Sequence, residues 1–565
     1  MMASEQQSVL DPGGLGGTRG PAPGPRPAPA ARLTAALRAR RRWLVPVLVV
    51  LLLTQMTAAM VTTAVQQTPT IDEPVYVATA TDYLHEHRLR YNPEHPPLGK
   101  LIVMAGIAVA DPHYDPSYQG DQGQVGRHLL YASGNDPWRL MLWARLPVIA
   151  LTLLFALVVF AFAREVLGTA AGSAALALYC FSPDLIAHGS LATLDVPSAG
   201  FVLTSVWLLW RARCRARLYL PLAGAALGAA VATKMSALPA LPVLPALAVL
   251  SVWGARPGRV RRALTAAAVV AVTAVAVVWL SCLAVDPRLR SVSAVPVPAI
   301  HGPRGLLVDL MPFPHAYRDG MRLQFGMEDY PWQGYLFGHL YTGSRWYYLP
   351  AALLVKTPLG MLALWAAGAV AVAAVRRLRP AAPYLLLPPA VLLASAMSGS
   401  RDFGTRYALF MPMFLAVGGA AVLAVRWRWS RPACGALLLF VAVSSLRAFP
   451  FYLPYSNEAF GGPAKTHLRL HDSNVDWGQD LGRLADRLRE RYPGERVWLV
   501  YKGSGLPAYY GIDATDPRTV PAREVHGLLV VSDSSAAKAR GRLASLIDTS
   551  RAVDDVGHSI TVYRR

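Results

Sequence analysis

Apolar runs of roughly 20 residues, long enough for a helix to cross about 30 Å of hydrocarbon, recur along this chain from Trp43 to about Phe449 and then stop. Among the 565 residues, 54% are hydrophobic and only 16% are charged, which is too apolar for a soluble fold of several domains. The sequence therefore predicts a polytopic α-helical membrane protein. The residues after the last run predict a separate water-soluble unit.

We predict eleven membrane-spanning helices. They lie at 43–64, 141–163, 169–187, 191–210, 218–232, 235–253, 263–284, 347–374, 382–398, 405–425 and 432–449. The fifth and sixth meet at Thr233-Lys234-Met235-Ser236, so they form either a hairpin or one broken helix.

Arginine clusters fall in alternate loops between these spans, for example at Arg211, Arg213, Arg215 and Arg217. If the N-terminus lies in the cytoplasm and the first helix crosses outward, every cluster lies on the cytoplasmic side. This agrees with the rule that positively charged loops stay in the cytoplasm. The net charge of +21 is therefore an orientation signal and not a signature of nucleic-acid binding.

This alternation of cytoplasmic and outer loops, together with the end of the apolar runs, predicts three domains. Residues 1–40, which begin with a stretch rich in Gly, Pro and Ala, form a disordered cytoplasmic tail. Residues 41–450 form the transmembrane domain, whose long loops 65–140 and 285–346 face outward. Residues 451–565 form an extracytoplasmic α/β domain with helices at 479–491 and 535–547 and strands at 497–501, 528–531 and 559–563.

The four cysteines give no metal or disulfide signal. Cys180, Cys214, Cys282 and Cys434 all lie in or beside apolar segments, and no two form a C-x-x-C pair. Neither a disulfide framework nor a thiolate metal site is indicated.

Two adjacent acids open the first outer loop in Asp72-Glu73-Pro74. Neighbouring carboxylates at a membrane surface are typical of a catalytic base or a metal site. The same residues also fit a helix start, with Asp72 as the cap and Pro74 in the first turn. Both interpretations stay open, because a cap also fixes the direction of a carboxylate.

Two further motifs carry ionisable groups on the same predicted side. The stretch His95-Pro96-Pro97-Leu98-Gly99-Lys100 is a stiff turn that aims a His and a Lys at the membrane plane. Asp195, in Leu194-Asp195-Val196-Pro197, lies in the first turn of an apolar span, where ionisable groups are usually functional. The alternative for Asp195 is a carboxylate that interacts with the helix dipole.

Together these motifs resemble the polyprenyl-phosphate-dependent glycosyltransferases of the GT-C superfamily. The match is to the glycosyltransferase 39 group, which includes protein O-mannosyltransferases and aminoarabinose transferases. It rests on the motifs at Asp72, His95 to Lys100, Arg145, Asp195 and Thr233 to Ser236, and further on Lys356-Thr357-Pro358-Leu359 and the run from Asp472 to Asp480. One departure is Tyr407, which follows Arg406 where the family pattern has a His.

The resemblance implies an inverting enzyme that moves a monosaccharide from a polyprenyl-phosphate donor to an acceptor hydroxyl. The phosphate is already a good leaving group, so this reaction needs a base for the acceptor and cations for the phosphate. Asp72 is expected to be the base, with Asp195 and Glu73 beside it in the catalytic set. The expected substrate-binding residues are His95, Lys100, Arg145, Lys234 and Arg406.

No firm cofactor follows from the resemblance. A divalent cation at Glu73, as in related oligosaccharyl enzymes, stays open, although the nearby Lys and Arg favour a metal-free site. The expected partners are the lipid bilayer, a polyprenyl-phosphate-linked sugar and an acceptor protein, lipid or glycan, with no nucleic acid. Usage rich in Ala, Arg and Pro is typical of a GC-rich bacterium and predicts the bacterial plasma membrane.

A transporter or flippase for a glycolipid is the main alternative, since it would also be polytopic with Arg-rich inner loops. Its functional acids would lie near the bilayer midplane, among broken helices. Here the acids lie at the predicted outer surface beside a long loop, which favours an enzyme. A glycolipid sensor without turnover is a third reading that the sequence leaves open.

Overall fold

The computed structural model describes the backbone of residues 29–254, 258–290 and 292–565, with side chains from residue 43. The chain divides into two compact units, residues 1–48 and residues 49–565. In the first unit the described part is the start of a helix that begins at Pro29. Residues 1–28 of the predicted disordered tail lie outside the described residues.

The second unit holds most of the helices and both sheets. The helices that precede residue 290 are α1 (Pro29–Gln66), α2 (Glu73–Glu86), α3 (Pro97–Ala110), α4 (Gln122–Tyr131), α5 (Pro137–Leu167), α6 (Thr169–Cys180), α7 (Pro183–Gly189), α8 (Asp195–Ala212), α9 (Ala216–Thr233), α10 (Ala240–Val252) and α11 (Arg259–Val285). Those that follow it are α12 (Gly302–Leu310), α13 (His315–Glu328), α14 (Tyr348–Lys356), α15 (Leu359–Ala374), α16 (Ala382–Met397), α17 (Phe410–Gly419), α18 (Ser430–Arg447), α19 (Leu481–Arg491), α20 (Asp533–Ala536) and α21 (Arg542–Asp548).

Four of these helices are long and apolar enough to cross a membrane: α1 from Trp43 onward, α5, α9 and α11. A fifth span results if α6 and α7, which meet at a 60° bend, are counted as one. The chain is therefore a multi-pass membrane protein, but its helix lengths do not confirm the count of eleven.

Helix breaks explain part of the difference from the predicted count. Helices α8, α16 and α18 are continuous over 16 to 18 residues, whereas other predicted spans are shortened or interrupted. The span predicted at 347–374 is broken between α14 and α15 at Pro358, since proline has no N–H to continue a helix. The span predicted at 405–425 begins and ends in short 3₁₀ turns around α17. Hydropathy detects such segments but does not locate their breaks.

The loop 65–140, which is predicted to face outward and is called the first outer loop, folds into three helices. The apolar segment 101–110, predicted as an interfacial or re-entrant helix, forms most of α3. Helices α2, α3 and α4 share a buried core that includes Val77, Val103 and Leu129. This core keeps the turn that contains His95 close to the start of α2.

The loop 285–346, which is predicted to face outward and is called the second outer loop, contains α12, α13 and a small antiparallel hairpin. Its strands are β1 (Gln333–Leu336) and β2 (His339–Thr342). Phe337, at the turn of the hairpin, donates its backbone N–H to the carbonyl of Arg469 at 2.8 Å. The hairpin is thereby attached to the chain that enters the C-terminal domain.

The C-terminal domain has a five-stranded sheet. Its strands are β3 (Val497–Val500), β4 (Ala514–Thr515), β5 (Leu528–Ser532), β6 (Arg551–Val556) and β7 (Ile560–Arg564), in the order β4-β3-β5-β7-β6. The predicted strands match β3, β5 and β7, whereas β4 and β6 were missed. The helix predicted at 535–547 is two helices, interrupted at Gly541, whose φ of +53° is left-handed.

Buried polar contacts fix the first residues of this domain to the membrane helices. The Lys356 ammonium at the end of α14 donates to the carbonyls of Leu453 at 2.5 Å and Asn474 at 3.0 Å. Asn457 donates its side-chain amide to the carbonyls of Leu354 and Thr357. The Lys-Thr-Pro motif therefore anchors the C-terminal domain.

Candidate active site

A cavity of about 1000 Å³ opens between the first outer loop, α8, α13 and the segment 398–410. Its lining includes polar and ionisable side chains, among them Asp72, Glu94, His95, Asp195 and Arg406. It also includes apolar side chains, among them Leu241, Leu307, Met311 and Leu392. Such a cavity suits a ligand with a charged head and a hydrocarbon portion.

Asp72 lines the cavity and pairs with Arg406. The carboxylate Oδ2 is 2.6 Å from Arg406 Nη1. Asp72 immediately precedes α2, but its side chain makes no capping hydrogen bond. The carboxylate therefore faces the cavity and does not serve the helix start.

Asp195 and Lys234 form a second buried ion pair on the cavity wall, with Asp195 Oδ1 at 2.5 Å from the ammonium. Asp195 is the first residue of α8, and Lys234 follows the last residue of α9. The two helix ends thus place one carboxylate and one ammonium beside the Asp72–Arg406 pair.

Glu73 and Arg145 are brought together in a different place. Two guanidinium nitrogens of Arg145 donate to the Glu73 carboxylate at 2.7 and 2.8 Å, and both side chains are buried. The backbone N–H groups of Thr70 and Ala192 donate to the same carboxylate at 2.9 and 2.8 Å. Burial alone raises the pKa of Glu73, but the charge of Arg145 and these hydrogen bonds lower that pKa below its ordinary value.

Neither Glu73 nor Arg145 is among the cavity-lining residues. Arg145 also donates to the carbonyls of Ala64 and Gln67, so it fastens the end of α1 to the loop. These contacts fit a positioning role for the pair, and the catalytic role of Glu73 and the substrate-binding role of Arg145 stay predictions.

Lys100, expected to hold phosphate, lies behind the cavity wall. Its ammonium donates to the carbonyls of Asn92 at 2.8 Å and His95 at 2.6 Å, and the side chain is fully buried. Lys100 therefore shapes the turn from Asn92 to His95 from within. Its predicted contact with phosphate finds no support in this geometry.

His95 reaches the cavity as expected. Its ring packs edge-on against Tyr76, with 5.8 Å between centroids. Burial, together with Lys234 and other nearby cations, lowers the pKa of His95 well below its ordinary value, so the imidazole is neutral at physiological pH. The Nδ1 atom has no hydrogen-bond partner within the described part of the chain. It can serve a ligand only as a neutral donor or acceptor.

Tyr407 fills the position where the family pattern has a His. The cations of Lys234 and Arg406 lie 5.4 and 5.1 Å from its ring centroid, and its hydroxyl accepts from Arg406 at 3.3 Å. The substitution replaces an ionisable ring with an aromatic face that two cations share.

Sequence reasoning missed a third ion pair at the cavity. Arg401 donates to Glu328 and to Gln324, each at 2.7 Å. Gln324 in turn donates to the carbonyl of Glu94 at 2.8 Å, which links α13 to the first outer loop. The sequence from Arg401 to Tyr407 could have indicated this pair, because it holds two Arg residues at the edge of an apolar run.

A divalent cation does not fit at Glu73, because donors already engage both carboxylate oxygens. In the described ranges, no cluster of three or more His, Cys, Asp or Glu side chains has a metal-binding arrangement.

Comparison with solved structures gives weak resemblances. ArnT from Cupriavidus metallidurans bound to undecaprenyl phosphate is 15% identical, with 91% of this chain and 97% of that chain covered at a TM-score of 0.46. The S. cerevisiae Pmt1-Pmt2 protein O-mannosyltransferase complex bound to its sugar donor is 15% identical, with coverages of 42% and 33% and a TM-score of 0.33. The Archaeoglobus fulgidus oligosaccharyltransferase is 14% identical, with coverages of 80% and 59% and a TM-score of 0.43. TM-scores this low do not by themselves establish a common fold.

The sequence itself gives the firmer result. No curated protein matches this chain. Residues 49–285, which contain Asp72, His95, Asp195 and Lys234, match the model of the dolichyl-phosphate-mannose-protein mannosyltransferase family. This match, which covers residues 49–285, confirms the resemblance predicted from the motifs.

Proposed function

We propose that this protein transfers a monosaccharide from a polyprenyl-phosphate donor to an acceptor hydroxyl on the outer face of a bacterial plasma membrane. The observation that carries the proposal is the cavity, whose lining combines the Asp72–Arg406 ion pair with many apolar side chains. The family match over 49–285 supports a donor of this chemical class.

Asp72 is the general base in this proposal. It accepts the proton from the acceptor hydroxyl as the hydroxyl oxygen attacks the anomeric carbon, and the bond from that carbon to the phosphate oxygen breaks. Attack opposite the leaving phosphate inverts the anomeric configuration. Base assistance of this kind contributes typically 10²–10⁴-fold to the rate.

Cations at the cavity take the charge that develops on the leaving phosphate. Arg406 is well placed, because its buried Nε has no hydrogen-bond partner in the described residues while Nη1 contacts Asp72. Lys234, held by Asp195, supplies a second fixed charge on the same wall. Fixed donors in a site that excludes water are worth several kcal/mol to a transition state.

Transfer with purified protein tests this function. Proteoliposomes would receive undecaprenyl-phosphate mannose or undecaprenyl-phosphate aminoarabinose, with peptide, lipid A and glycan acceptors. We expect one donor to be consumed, with release of undecaprenyl phosphate and of a sugar-modified acceptor. Movement of donor between leaflets without covalent transfer would instead support a flippase.

Cysteine labelling tests the proposed outer location of the C-terminal domain. Among the described cysteines, only Cys214 is exposed, in the predicted cytoplasmic Arg cluster, so it serves as an inside marker. We expect a membrane-impermeant maleimide to label an Asp486→Cys variant in intact cells, because Asp486 is exposed in the C-terminal domain. Cys214 should react only after permeabilisation, and the reverse pattern would invert the proposed topology.

A further inference from the structure

The segment 473–479 of the C-terminal domain contacts both sides of the Asp72–Arg406 pair. On the Asp72 side, the backbone N–H of Ile71 donates to the carbonyl of Trp477 at 3.0 Å. The N–H of Thr68 likewise donates to the carbonyl of Gln479 at 3.0 Å. These bonds fix the course of the chain immediately before Asp72.

The same segment fixes the chain around Arg406. The side-chain oxygen of Asn474 accepts the backbone N–H of Thr405 at 3.0 Å. The hydroxyl of Ser473 donates to the carbonyl of Phe403 at 2.6 Å. One short segment thus holds two stretches that lie more than 300 residues apart in the sequence.

The side chain of Trp477 contacts the guanidinium of Arg406 directly. The guanidinium carbon of Arg406 lies 4.5 Å from the centroid of its ring. The Trp477 side chain is almost fully buried, and only 10% of the Arg406 side chain is exposed. Cation–π attraction is strongest for Trp and increases when the pair is removed from water.

A guanidinium that rests on an aromatic face keeps its in-plane N–H groups available for other partners. For Arg406 these include Nη1, which donates to Asp72, and Nε. Without the Trp477 ring, the Arg406 side chain would lose the nearer of its two aromatic contacts, and only the Tyr407 ring at 5.1 Å would remain. The backbone of Trp477 is also fixed, because its N–H donates to Gln479 Oε1 at 2.8 Å.

We propose that Trp477 is a positioning residue of the active site, which holds Arg406 against Asp72 and toward the donor phosphate. This inference rests on the proposed function. The C-terminal domain thereby completes the site without contributing a group that touches the reacting atoms.

Steady-state kinetics of the full-length protein test the proposal through Trp477→Leu and Trp477→Phe. The Leu variant should lower kcat/KM about 10–30-fold, as expected from loss of a buried cation–π contact. The Phe variant, which retains an aromatic face, should recover most of that loss. If the Leu variant does not fold, the Phe variant still has an expected loss of about 3-fold, since its ring binds cations more weakly.

A double-mutant cycle with Arg406→Ala separates positioning from general stability. In the Arg406→Ala background, replacing Trp477 should change kcat/KM by less than about 2-fold, because the contact is already gone. Trp498→Leu is the matched control, since Trp498 is also buried in the C-terminal domain beneath an Arg, Arg496, at 4.2 Å. This control should lower thermal stability and leave kcat/KM per folded molecule unchanged.

Two results would overturn the role of Trp477. One is unchanged kcat/KM in a folded Trp477→Leu protein, and the other is an equal loss with and without Arg406. Absence of transfer by the wild-type protein with every donor would instead overturn the proposed function.

Discussion

The carboxylate of Asp72 and the guanidinium of Arg406 lie 2.6 Å apart although 334 residues separate them in the chain. Asp72 comes from the loop after α1, and Arg406 from the 3₁₀ turn before α17. The pair aims both groups into the cavity, so an acceptor hydroxyl that approaches Asp72 also approaches a fixed positive charge. This proximity is what the proposed chemistry requires of a base and a phosphate-binding group.

Asp72→Asn should reduce transfer by at least about 10²-fold while the protein stays folded, because Asn keeps the shape but accepts no proton. Transfer assays with thermal unfolding as the folding control would measure this. Asp111→Asn, an exposed acid in the same outer loop, is the matched control and should remain active. Near-normal transfer by a folded Asp72→Asn protein would refute the assignment, and a larger defect in Asp195→Asn would move the base to Asp195.

Glu73→Gln should damage folding more than chemistry. It leaves the buried Arg145 charge without its partner, which destabilises proteins by roughly 3–5 kcal/mol. Yield from the membrane and melting temperature in detergent would show the loss. Glu165→Gln breaks a half-exposed ion pair with Arg211 and should have little effect. A stable Glu73→Gln protein without activity would restore Glu73 to the catalytic set.

Lys100→Met should lower the melting temperature and the transfer rate together. The ammonium holds the carbonyls of Asn92 and His95, so its loss leaves buried acceptors unpaired, at roughly 1–3 kcal/mol each. Melting curves and donor KM distinguish this role from phosphate binding. A large rise in donor KM with unchanged melting would favour the direct phosphate contact predicted from sequence.

The C-terminal domain should show a pH dependence that originates at Asp533. Burial raises the pKa of Asp533 to about 7, while the hydroxyl of Thr561, which donates to its Oδ1, partly opposes the shift. The folded state therefore holds a proton that the unfolded state releases near pH 4, and stability falls as pH rises from about 4 to 7.

Asp533→Asn removes this titration. Its melting temperature relative to wild type should therefore rise between pH 5 and pH 8. Thermal unfolding of the full-length protein at both values checks the trend, with the exposed Asp486→Asn as the control that shows none. A constant difference between wild type and Asp533→Asn across this range would show that Asp533 does not titrate there.

Local patterns predicted much of this fold. Hydropathy located the helical segments, because burial in lipid requires long apolar runs. Alternation and composition located β3, β5 and β7 in the C-terminal domain. The two-residue strand β4 and the charged strand β6 carry too little apolar pattern to be detected this way.

The site was harder to predict, because its contacts depend on tertiary structure. Five of the predicted site residues, Asp72, His95, Asp195, Lys234 and Arg406, line one cavity. The motifs did not reveal that Glu73 faces Arg145 or that Lys100 points into the protein. Adjacent residues at the start of a helix, such as Asp72 and Glu73, project in different directions, and sequence alone does not show which of them meets the cavity.

Because segment 473–479 fixes the chain around Asp72 and Arg406, the site can assemble only late in biosynthesis. The ribosome makes Asp72 early, whereas the stretch that fixes it emerges only after the membrane helices have been synthesised. Because chains fold progressively from the N-terminus during synthesis, the nascent protein passes through a stage in which its helices are inserted but its reactive groups are not held together. A chain terminated prematurely before residue 473 would occupy the membrane without an assembled site.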